Sequence, residues 1–481
     1  MKQKDVIRRW SLSALVILVP MLAWGEGKLC AYPVGECHLY RLQLRDKAGS
    51  PYSLSNPEEF LSMKSVERRY RQGLPIDSTD LPISPYYLQN LAESGIKVVS
   101  RSKWNNTVVV ALPEPDDRGT LRDIPFVTNV VHLFSAPDSI EDSVRERLVQ
   151  ETGTLNAKDS LQTSHTSDFY GKAFEQIKML RGEKLHQAGY RGKGMTIAVL
   201  DGGFMNVDSM EMLKNVRIVG ACDFVYPPSD DIFSERDHGT MVLSTMAVNR
   251  PDTMVGTAPE AQYLLLRTED NRTESLAEED FWAEAVEFAD SMGVDILNSS
   301  LGYHHFDRSL GDHLYRDLDG KTSICSRSAG LVAHKGMILV TSAGNEGQGT
   351  WKKINVPGDA ADVLTVGAVN NQSMNAGFSS VGPSADGRVK PDVMAMGYRS
   401  AVVNGKGQLT TANGTSFSSP ITCGMVACLW QALPRKTALE IIDLVRRAGH
   451  QSDTPDNIFG YGIPDFWKAL EYGRINETEK R

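Results

Sequence analysis

Four residues spread along the chain have types that together could carry out acyl transfer: Asp201, His238, Asn345 and Ser416. Each stands in or beside a glycine-marked turn, namely Asp201-Gly202-Gly203, Asp237-His238-Gly239-Thr240, Ala343-Gly344-Asn345-Glu346 and Asn413-Gly414-Thr415-Ser416. A serine hydroxyl is a weak nucleophile until a neighbouring base takes its proton, and imidazole suits that work near neutral pH. A carboxylate can orient the imidazole and stabilise its charged form. An amide can donate to the oxygen that becomes negative. Each residue alone has a plainer reading. An Asp after a strand is often a turn or cap residue, an Asn beside Gly is a common turn, and Ser or Thr ahead of a helix is a common N-cap. Their joint occurrence, in the order Asp, His, Ser, favours chemistry over those readings.

These side chains need rigid elements to hold them. Met195 to Leu200 is apolar and rich in branched residues, as in a strand covered on both faces, which sets Asp201 at its C-terminal end over a crevice. His238 is expected to open a helix over 239–248, with Asp237 a candidate N-cap and Gly239 leaving room for another chain. Gly336 to Val340 reads as a second buried strand, ending in Thr341-Ser342-Ala343-Gly344-Asn345. A third run, Val294 to Asn298, leads into Ser299-Ser300-Leu301-Gly302. Beyond Gly414 and Thr415 a helix is expected, with Pro420 in its first turns and apolar residues from Ile421 to Leu429. Ser416 at that helix start would feel the positive end of the dipole, and its own N–H would have no intrahelical acceptor. Helical stretches at 281–292, 326–334 and 437–447 alternate with strands, predicting an α/β fold with a doubly wound, mostly parallel sheet.

This motif set resembles the subtilisin-like serine peptidases (subtilases), whose triad residues occur in the same order. The resemblance spans roughly residues 170–472 and includes Phe459-Gly460-Tyr461-Gly462-Ile463-Pro464-Asp465 near the end. It implies Asp201, His238 and Ser416 as a catalytic triad and Asn345 as the oxyanion donor. It also implies that Ser299, Ser300, Leu301 and Gly302, with Ala343 and Gly344, bind substrate as an added strand and line the first specificity pocket. Glu346 matches a pocket-rim position, though an exposed acid is by default only solvated. Phe417 stands where Met is usual in the family, and Ser419 where Ala or Cys is common. The implied activity is serine endopeptidase hydrolysis of protein or peptide substrates, with no cofactor required. The stretch 312–319, with Asp317 and Asp319, offers oxygens for a structural calcium but lacks the spacing of a calcium loop, so a solvated loop is expected. The alternative is a catalytically silent subtilase serving as a binding scaffold. An esterase on the α/β-hydrolase fold is disfavoured, since no Gly-x-Ser-x-Gly elbow occurs. His238 and Asn345 likewise disfavour the acid-acting relatives that carry Glu and Asp there.

The N-terminal half has a different character. Residues 1–25 read as a signal peptide: Lys2, Lys4, Arg8 and Arg9 precede an apolar stretch of 15 residues, too short for a comfortable membrane span, and Ala23-Trp24-Gly25 suits cleavage. Export to the periplasm or beyond follows, with no stable membrane anchor expected. Residues 26–135 alternate short strands and helices as in a small ferredoxin-like α+β layer. By resemblance this is the subtilase propeptide, a folding chaperone and intramolecular inhibitor. The basic run Lys64 to Arg71 reads as a solvated helix face. Residues 136–168 are polar and aperiodic, a linker in which cleavage is expected. The catalytic domain is expected over 169–475, with a tail at 476–481. Six cysteines are few; Cys30 and Cys37 could bridge, while Cys423 and Cys428 read as small buried apolar residues. A net charge of −9 and a pI near 5.7 argue against nucleic-acid binding. A monomer is expected.

Overall fold

The structure, a computed structural model, describes residues 37–136 and 169–478 except 228, 230 and 308–310. The expected signal peptide, Cys30 and nearly all of the linker lie outside the described residues.

The N-terminal unit contains β1 (Cys37–Leu44), α1 (Met63–Gln72), α2 (Pro85–Glu93), β2 (Lys97–Ser102), β3 (Thr107–Leu112) and β4 (Val127–Ala136). Its antiparallel sheet has the order β2-β3-β1-β4, with β1 between β3 and β4. This is the ferredoxin-like layer expected. Strand alternation divides the side chains. Tyr40, Leu42, Val108 and Val110 pack with Tyr87 and Leu91 of α2 in a small core of their own. Leu39, Val109, Ala111, Leu133, Phe134 and Trp104 face the other way, into the larger domain.

The larger domain contains β5 (Thr196–Asp201), β6 (Arg217–Asp223), α3 (His238–Ala247), β7 (Gln262–Arg267), α4 (Ala277–Met292), β8 (Ile296–Ser299), α5 (Ile324–Val332), β9 (Ile338–Ser342), β10 (Leu364–Val369), β11 (Val393–Met396), α6 (Thr415–Ala432), α7 (Ala438–Arg447) and α8 (Phe466–Thr478). Seven strands pair in parallel in the order β11-β10-β9-β8-β5-β7-β6. Strand order reverses around β5, which lies between β7 and β8, and a crevice opens at the carboxyl ends of strands at such a point. Every residue of β5 is buried. Ile197 and Val199 face the layer containing α3 and α6, and Ala198 and Leu200 face α4 and α5. Helix α8 passes the expected boundary at 475 and runs to Thr478.

The basic run in α1 is not the solvated face expected. Arg68 and Arg69 are each 1% exposed. Both reach Asp290 of α4, and Arg69 also binds Asp80 at 2.8 Å. Their partner lies more than two hundred positions away, so local charge patterning did not reveal the burial. Cys37 is disulfide-bonded. Cys222, Cys325, Cys423 and Cys428 are free, and the last two are fully buried as expected. No helix among the described residues is long and apolar enough to cross a membrane.

Candidate active site

Asp201 ends β5 and is fully buried, with Oδ1 accepting from the Gly202 N–H at 2.8 Å. His238 is the first residue of α3, and its Nδ1 lies 2.9 and 3.0 Å from the two Asp201 oxygens. A carboxylate only accepts, so Nδ1 carries the hydrogen and Nε2 is left as the acceptor. The approach depends on Gly239. A Cβ there would stand 2.4 Å from the Gly203 carbonyl oxygen and 2.9 Å from Asp201 Cβ. Asp237 makes no side-chain cap for α3; its carboxylate instead accepts from the Gly405 N–H at 3.0 Å. Burial works against a charged ring at His238, but the charge and hydrogen bond of Asp201 outweigh it and raise the pKa above the ordinary 6.5.

Ser416 is the second residue of α6, 8% exposed, and its N–H therefore has no acceptor within the helix. Gly414 precedes it at φ +147° and donates to the Gly397 carbonyl at 2.8 Å, closing the tight entry. The His238 ring lies 5.9 Å, centroid to centroid, from that of Phe417. Ser416 Oγ points to the Ser300 carbonyl at 3.3 Å. Catalytic hydrogen bonds are commonly long or misaligned without substrate, and a turn about Cα–Cβ re-aims a serine hydroxyl.

Pro420 lies inside α6 and has no N–H, so the Ser416 carbonyl lacks its helical donor. The Ser300 hydroxyl fills the vacancy at 2.8 Å. Asn298 Nδ2 donates to Ser300 Oγ at 3.0 Å, and Ser419 Oγ donates to Asn298 Oδ1 at 2.9 Å. Ser419, noted as a departure from the usual small residue, thus closes a buried polar chain beneath Ser416.

Asn345 follows β9 and is exposed. Its Oδ1 accepts from the Thr415 N–H at 2.9 Å and from Thr415 Oγ1 at 3.0 Å. That pair fixes the amide and leaves Nδ2 as a donor beside the start of α6.

The expected substrate-binding residues divide into two groups. Leu301 and Gly302 are half-exposed, and neither Gly302 main-chain group bonds to a described residue, as an edge for an added strand requires. Ser299 is fully buried, with Oγ accepting from Trp282 Nε1 at 2.9 Å. Gly344 donates to Thr415 Oγ1 at 3.2 Å and accepts from the Ser380 N–H at 3.0 Å. The Ala343 carbonyl accepts from Asn355 and its N–H donates to Val366. Hydrogen bonds within the protein thus engage Ser299, Ala343 and Gly344, while the Ser300 hydroxyl is engaged by the Ser416 carbonyl. Glu346 is half-exposed.

Two nearby residues carried no sequence signal. Asn355 fills the space between two expected wall residues. A Cβ on Gly302 would lie 2.9 Å from Asn355 Cβ, and one on Gly344 3.1 Å from its Cγ, while Asn355 Oδ1 is buried with no hydrogen-bond partner among the described residues. Glu269 accepts from the Tyr303 hydroxyl. Burial pushes its carboxyl up to about 7 against that hydrogen bond, with the Asp201 charge adding to the rise. Glu269, Glu274 and Glu278 bring carboxylate oxygens within 4.8 Å of one another, but Glu278 already accepts from the Asp270 and Ser275 N–H groups. In the stretch considered for calcium, Asp317 accepts from Leu314 and Asp319 from Lys321 and Thr322.

A buried carboxylate holding an imidazole, a serine at a helix start and an oriented amide can together activate a hydroxyl and stabilise a tetrahedral oxyanion. The subtilase family profile matches residues 192–462. The propeptide profile of Bacteroidota S8 peptidases matches residues 39–148. The chain belongs to the subtilase family and is a subtilisin-type serine endopeptidase with a propeptide domain. Subtilisin NAT of Bacillus subtilis subsp. natto is 27% identical over 313 residues, 64% of this chain and 75% of that protein. The membrane-bound transcription factor site-1 protease of Rattus norvegicus is 29% identical over 270 residues, 53% of this chain and 23% of its own length. Among solved structures, MycP1 from Mycobacterium smegmatis has a TM-score of 0.50 at 21% identity, with 65% of this chain and 87% of that one covered. It shares the fold.

Proposed function

We propose that the chain is an exported endopeptidase working through an acyl-enzyme formed on Ser416. Ser416 Oγ attacks the peptide carbonyl. His238 Nε2 takes the proton and returns it to the leaving amine, and Asp201 orients the ring and stabilises its charged form. Asn345 Nδ2 and the Ser416 N–H hold the oxyanion. Water then cleaves the acyl-enzyme by the same groups. An extended substrate pairs along Leu301 and Gly302. The reaction needs no cofactor. Residues 37–136 act as chaperone and intramolecular inhibitor until the linker is cut, and residues 1–25 direct export.

The observation that carries this reading is the His238 ring, held at 2.9 and 3.0 Å by Asp201 and set against the first turn of the Ser416 helix. A fluorophosphonate probe should label the wild type and not Ser416→Ala. Purified wild type should hydrolyse peptides, and Ser416→Ala should keep the full exported length. A wild type that neither takes the probe nor cuts peptides is a silent scaffold.

A further inference from the structure

Helix α4 carries four acids toward the N-terminal unit, and every one is bound by it. Arg41 Nε meets Asp280 at 2.7 Å. Ser100 Oγ donates to Glu284 at 2.7 Å. The Lys103 and Trp104 N–H groups donate to Glu287 at 2.6 and 3.1 Å. Arg69 meets Asp290 at 2.8 Å, with Arg68 on its other oxygen. Around these lies one continuous apolar cluster in which Leu39, Trp104, Val109, Leu133 and Phe134 pack with Phe281 and Ala285, all at most 6% exposed.

Helix α1 adds a second point of attachment, at the amino ends of the strands. Lys64 Nζ binds Thr196, the first residue of β5, at 2.9 Å, and Asp295, just before β8, at 2.8 Å. Gln72 donates to the Gly336 carbonyl at 2.7 Å and accepts from the Ala438 N–H of α7 at 2.8 Å. Lys335 reaches back to Asp80 at 2.9 Å, and Asp80, Asp290 and Lys335 are each at most 2% exposed. Gly293 and Gly336, both at positive φ, make room for the helix; a Cβ on Gly293 would lie 2.7 Å from Lys64 Cβ, and one on Gly336 2.9 Å from Gln72 Nε2. The active-site residues leave the carboxyl ends of the same strands. A five- or six-residue strand spans about 17–20 Å, so this attachment is remote from the cleft.

An inhibitor that is shed needs contacts that can be given up without damage to the enzyme. Losing this one would uncover a large apolar surface and leave a ridge of like charges along one helix at three- and four-residue spacing. Continuity with the core is typical of permanent rather than transient interfaces. We propose that cutting the linker does not release the N-terminal unit: residues 37–136 stay on the catalytic domain as a second, non-covalent chain, and the working enzyme is a two-chain complex. This takes only the cut itself from the preceding reading.

The test uses the full-length Ser416→Ala chain with a recognition site for an unrelated protease placed in 137–168. After that cut, the two fragments should co-elute on size exclusion at both low and high salt. Fragments that separate without denaturant overturn the proposal. The variant cannot cut itself, so this outcome does not depend on the peptidase reading, which the fluorophosphonate probe tests on its own. Since Arg68→Ala could fail to fold, the milder pair Lys64→Ala and Gln72→Ala is made in the same background. It should speed fragment dissociation by at least ~10-fold; an unchanged rate removes α1 as the clasp and counts against the proposal. Wild-type peptidase activity should run with the peak containing both chains. Activity carried by the catalytic fragment alone would also overturn it.

Discussion

The Ser300 hydroxyl donates at 2.8 Å to the Ser416 carbonyl, the acceptor that Pro420 leaves without a helical donor. A proline would normally weaken a helix at this point. Here the missing bond couples the segment proposed to bind substrate to the proposed nucleophile, since the Ser416 hydroxyl points back to the Ser300 carbonyl. Ser300→Ala should strand the Ser416 carbonyl and the Asn298 amide in a buried setting, at a cost of about 1–3 kcal/mol. Thermal unfolding should record that loss. Because Ser416, the proposed nucleophile, loses a support, kcat should fall up to about 100-fold with KM little changed. An unaltered kcat in a destabilised variant would make Ser300 structural only.

Asn345 allows a cleaner separation of donor from scaffold. Its Oδ1 holds Thr415 and its Nδ2 is the proposed oxyanion donor. Asn345→Asp retains the acceptor and removes the donor. Unfolding temperature should therefore stay close to wild type, while kcat falls by about 10²–10³ or more, the loss subtilisin itself suffers when it loses this donor. A fall of less than about 10-fold would assign the oxyanion to other groups.

The pH profile follows from the pair at 201 and 238. Only neutral imidazole can accept the serine proton, so kcat/KM should rise with pH through the His238 pKa and level off above it. That pKa is raised from 6.5: burial lowers it, and the charge and hydrogen bond of Asp201 more than reverse the effect. The acid limb should therefore have its midpoint above 6.5. Asp201→Asn leaves burial opposed only by the weaker pull of Asp237 and should move the midpoint below 6.5, besides lowering the rate. The same raised pKa gives stability that is fully present below the unfolded value and is lost as pH rises through the folded one. A wild-type limb centred below 6.5 would mean that the Asp201 charge does not reach the ring.

Much of the site could be read from the sequence because covered parallel strands are uniformly apolar and end in glycine turns. Asp201 and Asn345 follow such runs, and the helix start at Ser416 is marked by Gly414 and Pro420. What could not be read depends on contacts between distant segments. Arg68 and Arg69 look like a solvated basic face until Asp290 is brought beneath them. Asp237 has the sequence of an N-cap but is taken by Gly405. Asn355 is an unremarkable loop residue until Gly302 and Gly344 close around it. Ser299, Ala343 and Gly344 differ from Gly302 in that their polar groups are already engaged, which spacing cannot reveal.

Gly239 tests whether the placement of His238 depends on close backbone approach. A methyl group there meets the Gly203 carbonyl oxygen at 2.4 Å and Asp201 Cβ at 2.9 Å. Both obstacles are main chain or the stem of a short buried side chain, so neither can swing aside. Relief requires the first turn of α3 to move away from β5, carrying the imidazole off the carboxylate. Gly239→Ala should therefore reduce kcat by about 10²-fold, the loss typical of a displacement near 1 Å. It should also destabilise the fold by about 1–3 kcal/mol. Without the Asp201 contact, the acid limb should shift down as in Asp201→Asn. A variant with wild-type kcat and an unshifted limb would show that β5 and α3 tolerate the extra methyl, and that the glycine serves no positioning purpose.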